Sequence, residues 1–278
     1  SQRSRVLAIL CAGLFVVASC SSDDDAEPDA TTTTEGSTGA DETVARACVD
    51  TSADALDPRA AGVLETAATI ADELNLEAVV LRVQQGGEEI VTGAFGESLR
   101  GVPATPADRF WNGAAVFSYL GVVALQLDEE GVLGLDEPVA PYLPDVPSAD
   151  EITLRMLLAS ASGFADYVTI DSWIADFYAD PFHAFTLEEL EGYVFDDPLL
   201  FEPGTAVSYS HLNFQLVGAL IEEATGRPLD KVLAERVLEP LGMDRTESLA
   251  TADVPAPRLH TFSDERGVYE ETSGWSQA

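Results

Sequence analysis

The stretch at residues 113–138, GAAVFSYLGVVALQLDEEGVLGLDEP, contains the pattern from which the fold can be interpreted. From Gly113 to Glu130, apolar residues occupy nearly every side of a helix, which is typical of a helix buried within a domain. Gly131–Pro138 ends that pattern, and a proline-rich loop follows it. The stretch therefore predicts a central buried helix that leads into an ordered loop.

The flanking segments predict one helix and one hairpin before the central helix. Apolar residues recur every three or four positions from Asp57 to Asn75, which indicates an amphipathic helix. Two short segments are rich in β-forming residues, Ala78–Gln84 and Glu89–Phe95. The residues between them, Gln85–Glu88, indicate a tight turn between antiparallel strands. Further helices are predicted at Thr153–Ser160, Leu187–Val194, Leu212–Thr225 and Leu229–Val237.

The charge balance limits the class of partner. The chain has 278 residues, with 49 acidic and 14 basic side chains and a formal net charge of -35. Lys231 is the only lysine, and the other basic residues are arginines. Because no basic patch is available to neutralise phosphates, nucleic acid is not an expected partner.

The first twenty residues predict export. Arg3 and Arg5 precede the apolar run Val6–Val17, which is too short to span a bilayer but suits the core of a signal peptide. The run ends in Val17-Ala18-Ser19-Cys20, which resembles a bacterial lipoprotein box and implies lipidation of Cys20. We therefore expect an exported protein, anchored by lipid to the extracytoplasmic face of the cell membrane. An ordinary signal peptide cleaved nearby is the alternative.

A tether is expected between the signal peptide and the folded part. Residues 21–50 are acidic and rich in threonine, and they contain few large apolar side chains that would offset the entropy cost of ordering. Residues 51–278 are expected to form the folded domain. Because Cys11 and Cys20 lie in or at the end of the signal peptide, Cys48 has no expected disulfide partner.

Several segments together resemble the serine β-lactamases of the class C type and the related D-alanyl-D-alanine carboxypeptidases and penicillin-binding proteins. The matching segments occur in the family's order: Gln126–Val139, Tyr142–Pro144, Ile152–Leu158, Ser162–Gly163, Phe201–Thr205, Tyr209–Ser210 and Glu239–Met243. The resemblance implies an α/β (α+β) fold, with an antiparallel sheet flanked by helices and a mostly helical domain. It also implies that further C-terminal strands lie beyond residue 278, so that we expect the domain to be incomplete.

Members of this family attack an acyl group with the serine of an S-x-x-K pattern, and the lysine one turn later activates it. An ungapped alignment from Leu125 to Leu127 places Ala114 at the serine position and Phe117 at the lysine position. Lys231 cannot supply the pattern elsewhere, because Pro228 stands three residues before it. Arginine cannot act as the base, since a guanidinium group stays protonated. The expected consequence is a catalytically inactive chain.

The family's second element, Y-x-N, corresponds to Tyr209-Ser210-His211 in this chain. A tyrosine acts as a base only beside a cation such as the missing lysine. Tyr209 and His211 are therefore predicted as residues of a binding cleft, together with Ser162, the loop serine before Gly163. A third element, K-T-G or H-x-G, would lie beyond residue 278.

Three hypotheses of function follow. The first is a non-catalytic family member that binds cell-wall (peptidoglycan) peptide or a β-lactam-like molecule, or serves as a scaffold. The second is an active hydrolase that uses another nucleophile, such as Ser118 or Ser210 with Tyr209 or His211. The third is a truncated product without function. No metal spacing is visible around His183 or His260, and no cofactor is expected. The aromatic residues Trp173, Phe177, Tyr178, Phe182 and Phe185 form either core or a binding surface.

Overall fold

The structure is a computed structural model that describes residues 48–49, 57–249 and 251–276. The chain divides into two compact units, one that ends at Ala107 and one that begins at Asp108. The expected single domain from residue 51 thus contains the boundary between these units. The predicted signal peptide at 1–20, the lipidation at Cys20 and most of the tether at 21–50 lie outside the described residues.

The first unit contains a helix and an antiparallel sheet. Its elements are β1 (Cys48–Val49), α1 (Ala60–Leu74), β2 (Ala78–Gln85), β3 (Glu88–Leu99) and β4 (Val102–Pro103). Both β1 and β2 pair with β3, in the order β1-β3-β2, and β4 pairs with the end of β3. The predicted hairpin is confirmed: Gly86 and Gly87 both have positive φ, which the two-residue turn requires. Cys48 and Val49, which the predicted tether at 21–50 includes, pair through their backbone with Ala94 and Gly93.

The second unit is mostly helical. Its elements are a 3₁₀ turn (Gly113–Ala115), α2 (Val116–Glu129), α3 (Leu154–Leu158), a 3₁₀ turn (Tyr167–Thr169), α4 (Asp171–Ala179), α5 (Leu187–Gly192), α6 (His211–Thr225), α7 (Leu229–Leu233), a π turn (Ala234–Leu238), β5 (Phe262–Ser263) and β6 (Glu270–Glu271). The helices predicted in this part of the chain are all present. Helix α4 was missed, because its aromatic residues were interpreted only as core or surface.

The central helix α2 is less buried than its composition predicted. Leu120, Val123 and Leu127 are buried on one face, where α2 packs against α6 and α7. On the other face, Val122 is 44% exposed and Leu125 is 53% exposed. The apolar composition around the whole of α2 therefore did not predict which of its faces is buried in this unit.

The loop after α2 is held by hydrogen bonds that explain its sequence. Asp128 Oδ1 accepts a hydrogen bond from the backbone N–H of Leu135 at 2.9 Å. The backbone N–H of Val139 donates to the carbonyl of Ile152 at 2.9 Å, just before α3 begins. These bonds attach the loop to the start of α3, where the Thr153 side chain caps the helix. The motif at residues 126–139 therefore has a structural role.

Candidate functional site

Two helix starts bring the predicted site residues together. Ala114 lies in the 3₁₀ turn before α2, and Phe117 lies in the first turn of α2. Tyr209 lies just before α6, and His211 is the first residue of α6, which packs against α2. Phe214, one turn into α6, completes the group. We call Phe117, Tyr209, His211 and Phe214 the aromatic cluster.

Phe117, which the alignment places at the family's lysine position, carries a stacked ring. Its ring stacks on that of Phe214 with centroids 3.7 Å apart and planes 10° apart. The centroids of the Tyr209 and His211 rings lie 6.4 Å and 6.5 Å from that of Phe117. A nucleophile activated by an amine is therefore absent from this position, since Ala114 has no hydroxyl and Phe117 has no lone pair to accept a proton.

Tyr209 remains a neutral phenol. Partial burial raises the pKa of Tyr209 above its ordinary value of 10.0, and the negative charge of Asp166 raises this pKa further. The neighbouring His211 ring meets the Tyr209 ring edge-on, with centroids 4.9 Å apart. Tyr209 therefore offers a hydrogen-bonding hydroxyl at neutral pH, but no phenolate base.

Asp166 pairs with His211 and was not singled out from the sequence. Its Oδ1 atom accepts a hydrogen bond from the His211 backbone N–H at 3.1 Å and lies 3.0 Å from His211 Nδ1. The Asp166 side chain is 12% exposed, whereas that of His211 is 34% exposed. The two residues are 45 positions apart, so no local sequence pattern could have indicated their contact.

A second group of polar side chains lies buried beside the cluster. The Ser162 hydroxyl donates to Asn213 Oδ1 at 2.6 Å and accepts from the backbone N–H of Phe164 at 3.2 Å. The Ser210 hydroxyl donates to the carbonyl of Ala165 at 2.8 Å. We call Ser162, Asn213 and Ser210 the polar anchor, because they attach the loop at 160–166 to the start of α6.

The polar anchor is inaccessible to a ligand in this structure. Ser162, Ser210 and Asn213 all have 0% exposure. The structure therefore does not support the predicted binding role of Ser162, because the hydroxyl of this residue is used to hold the loop. It also argues against Ser210 as a nucleophile, since its hydroxyl is buried and bonded to a backbone carbonyl.

The same loop is close to a neighbouring segment of backbone. Gly163 has φ +92°, and a Cβ atom there would lie 2.4 Å from the carbonyl oxygen of Phe201. The Gly163 carbonyl accepts from the N–H of Leu200 at 2.8 Å, and the Ser160 carbonyl accepts from the N–H of Ser208 at 2.9 Å. The Ser-Gly motif is thus explained by backbone packing.

Of the two serines considered as nucleophiles, Ser118 and Ser210, Ser118 has the accessible hydroxyl. It lies exposed on α2, one residue after Phe117. Within the part of the chain that the structure describes, no histidine or carboxylate forms a hydrogen bond with its hydroxyl. Ser118 therefore has no activating partner in this conformation.

The aromatic residues at 173–185 are divided between core and surface. Trp173 is 8% exposed and stacks on Phe177, whereas Phe182 is 67% exposed. Phe185 lines an open groove of about 520 Å³. The other residues that line this groove are Asp176, Asp180, His183, Glu189, Gly192 and Tyr193. The core interpretation thus holds for Trp173, and the groove is a separate acidic surface.

The described residues contain neither a candidate metal-binding group nor a candidate membrane-spanning helix. No group of three or more His, Cys, Asp or Glu side chains in the described part of the chain is arranged to hold a metal ion. Among the helices described, none has both the length and the apolar character needed to cross a membrane.

Comparison with known proteins identifies the family. The sequence model of the family described as Beta-lactamase matches residues 26–276. Penicillin-binding protein 4 of Amycolatopsis lactamdurans is 29% identical over 154 residues, which cover 54% of this chain and 38% of that protein. The chain spans less than half the length of the curated relatives it matches.

Solved structures show the same fold. A D-stereospecific amidohydrolase from Streptomyces sp. has a TM-score of 0.64 and 26% identity, over 72% of this chain and 61% of its own. A penicillin binding protein from Bacillus halodurans has a TM-score of 0.61 and 22% identity, over 74% and 63% of the two chains. These neighbours confirm the predicted α/β fold. The chain belongs to the β-lactamase family of serine hydrolases and penicillin-binding proteins.

Proposed function

We propose that this chain is a non-catalytic member of the family that binds D-amino-acid-containing cell-wall peptide, or a β-lactam that resembles it, without forming an acyl-enzyme. One observation carries the proposal: Phe117, which the ungapped alignment places at the lysine position, stacks on Phe214. Acyl transfer needs a nucleophile and a proton acceptor within hydrogen-bond reach of each other. Ala114 and Phe117 provide neither.

The rest of the described chain offers no replacement for this pair. Lys231, the single lysine, lies on α7 with its side chain 66% exposed and its Nζ atom 3.2 Å from Asp230. Ser162 and Ser210 are buried, and Tyr209 is held in its neutral form. Binding without turnover is therefore the function that the site supports best.

The ligand class is taken from the named relatives. One of these is called a penicillin-binding protein and another a D-stereospecific amidohydrolase. The first name refers to penicillin, a β-lactam, and the second to D-stereospecific hydrolysis of an amide, and a peptide that contains D-residues is our proposal from the two. The partly exposed rings of Phe117 and Tyr209, together with the Tyr209 hydroxyl, provide apolar and hydrogen-bonding contacts that suit a short peptide.

Export and lipid anchoring form part of the same proposal. The lipoprotein-like segment ending at Cys20 supports a position on the extracytoplasmic face of the cell membrane, where cell-wall peptide is available. Metabolic labelling with a fatty acid tests this: the wild-type protein should incorporate label, and Cys20→Ala should incorporate none. Equal labelling of the two proteins would contradict lipidation at Cys20.

Labelling with a fluorescent penicillin tests the catalytic part of the proposal. The wild-type protein should show no covalent band, whereas calorimetry should detect reversible binding of a D-alanyl-D-alanine peptide. The double variant Ala114→Ser/Phe117→Lys restores the reactive pair and serves as the matched comparison. A covalent band from the wild-type protein would overturn the proposal, and a band from the double variant alone would support it.

An active hydrolase is the second candidate, because His211 and Asp166 have the contact of a base and its orienting carboxylate. Ser118 is the accessible serine considered for the nucleophile. Hydrolysis of a small ester that is abolished by Ser118→Ala or by His211→Ala would favour this candidate. A rate equal to the uncatalysed background would exclude it for that ester.

A further inference from the structure

The contact with Asp166 determines which nitrogen of His211 is left to meet a ligand. An ionised carboxylate can accept a hydrogen bond but cannot donate one. Both carboxylate oxygens lie near His211 Nδ1, at 3.0 Å and 3.1 Å, so Nδ1 carries the proton. In the neutral ring Nε2 is then the acceptor, with its lone pair unused by any hydrogen bond to a described residue.

The surroundings of that acceptor contain negative charge and aromatic rings. Asp166 lies on the Nδ1 side of the ring, opposite the acceptor nitrogen. The uncharged rings of Phe117 and Tyr209 lie beside the His211 ring, with centroids 6.5 Å and 4.9 Å from its own. A carboxylate brought to this place would meet a lone pair and a nearby carboxylate without a cation to balance them, which is unfavourable.

A ligand group that donates hydrogen bonds would, by contrast, bind favourably at this place. An amide N–H or an ammonium group would bond to His211 Nε2, and the Asp166 charge would strengthen that bond through the imidazole. A cation would also be attracted by the faces of the aromatic rings. The site is therefore complementary to a hydrogen-bond donor.

We infer that His211 and Asp166 form a specificity pair that selects ligands presenting a donor group, such as a peptide ending in a carboxamide or an amine, over ligands ending in a carboxylate. The inference rests on the proposed binding function and adds the chemical class of the ligand's terminal group. His211 contacts the ligand, and Asp166 is a positioning residue that fixes the tautomer of His211.

A purely structural role for Asp166 gives a different expectation. Asp166 also accepts from the His211 backbone N–H at the start of α6, as a helix-capping residue does. Asp166→Asn keeps an oxygen for that backbone bond, but it removes the charge and no longer fixes the tautomer. If capping were the whole role, Asp166→Asn would leave ligand selectivity unchanged.

The test compares N-acetyl-D-alanyl-D-alanine, whose blocked amino terminus offers no ammonium group, with its C-terminal amide by titration calorimetry at pH about 8. In the wild-type protein the amide should bind about tenfold more tightly than the carboxylate, which is the effect of one charge-assisted hydrogen bond. In Asp166→Asn and in His211→Asn the ratio should fall below about threefold. The control Asp136→Asn removes an exposed carboxylate of the same unit that pairs with Arg155, and it should leave the ratio unchanged.

Nitrogen-15 spectra of His211 provide a readout that needs no ligand. They should show the Nδ1–H tautomer in the wild-type protein and a mixture in Asp166→Asn. Binding of both peptides with equal affinity would overturn the specificity pair and leave the proposed function standing. Failure of both peptides to bind would overturn the two together. An Nε2–H tautomer in the wild-type protein would overturn the inference on its own.

Discussion

The aromatic cluster and the polar anchor lie side by side at the start of α6, yet they differ in residue composition and in exposure to solvent. The polar anchor contains a buried serine and asparagine joined by a hydrogen bond of 2.6 Å. The aromatic cluster contains Phe117, which the alignment places at the position of the family's lysine. Only the cluster is accessible: Tyr209 is 48% exposed, whereas Ser162 is 0% exposed.

The difference separates the groups that hold this fold from the groups that would perform its chemistry. A buried polar group that loses its partner destabilises the protein directly. An exposed reactive group can be replaced by an aromatic ring with little effect on stability. Polar neighbours of the replaced group can then form hydrogen bonds with solvent, and the new ring can pack on neighbouring rings. We therefore expect substitutions in and next to the anchor to reduce stability more than substitutions in the cluster, as four measurements can test.

Gly163→Ala should have the largest effect. A Cβ atom at φ +92° is strained and would lie 2.4 Å from the Phe201 carbonyl oxygen, so the backbone must move. We expect the free energy of unfolding, measured with denaturant, to fall by about 3 kcal/mol or more. Gly121→Ala is the control: no atom lies within 4 Å of its Cβ position in α2, and the change should stabilise the protein by about 1 kcal/mol. Similar losses at both positions would contradict the role given to the loop.

Ser162→Ala should have the next largest effect. The change leaves buried groups of Asn213 and Phe164 without a partner, which we expect to lower the free energy of unfolding by about 1–3 kcal/mol. Ser118→Ala alters an exposed serine and should change stability by less than about 0.5 kcal/mol. If the two serine variants were equally stable, the contrast between buried and exposed groups would be wrong.

Phe117→Ala should cost less than the anchor substitutions, about 1 kcal/mol in the same denaturant assay. The change removes a ring stacked on Phe214, but the Phe117 side chain is only partly buried. Val207→Ala, at a residue 74% exposed, is the control and should have almost no effect. A loss larger than that of Ser162→Ala would show that the cluster, and not the anchor, holds the start of α6.

Tyr167→Phe should produce the smallest effect at neutral pH, because its linkage to protonation acts only at alkaline pH. Burial raises the pKa of Tyr167 to about 12, from an ordinary value of 10.0. Because the folded state favours the neutral phenol, the stability contributed by Tyr167 is present below pH 10 and is lost as the pH rises from about 10 to about 12. The free energy of unfolding should therefore fall less steeply over this interval in Tyr167→Phe than in the wild-type protein. Identical slopes in the two proteins would contradict the burial effect.

Much of the fold and part of the site could be predicted from the sequence. The hairpin at Gly86–Gly87 depends on local backbone freedom, and the helices depend on periodic apolar residues, so both are local properties. Burial was predicted less well, as the exposed Val122 and Leu125 on α2 show. Exposure depends on which face meets another element, and composition does not contain that information.

The absence of an S-x-x-K pattern from these 278 residues was determined by the sequence alone, because the single lysine, Lys231, follows Pro228 by three residues. Only the tertiary structure decided which side chains meet. Asp166 and His211 are 45 positions apart, and Ser162 and Asn213 are 51 apart. These contacts exist because the loop at 160–166 packs on the start of α6, and such long-range packing is set by the whole unit and not by any local pattern.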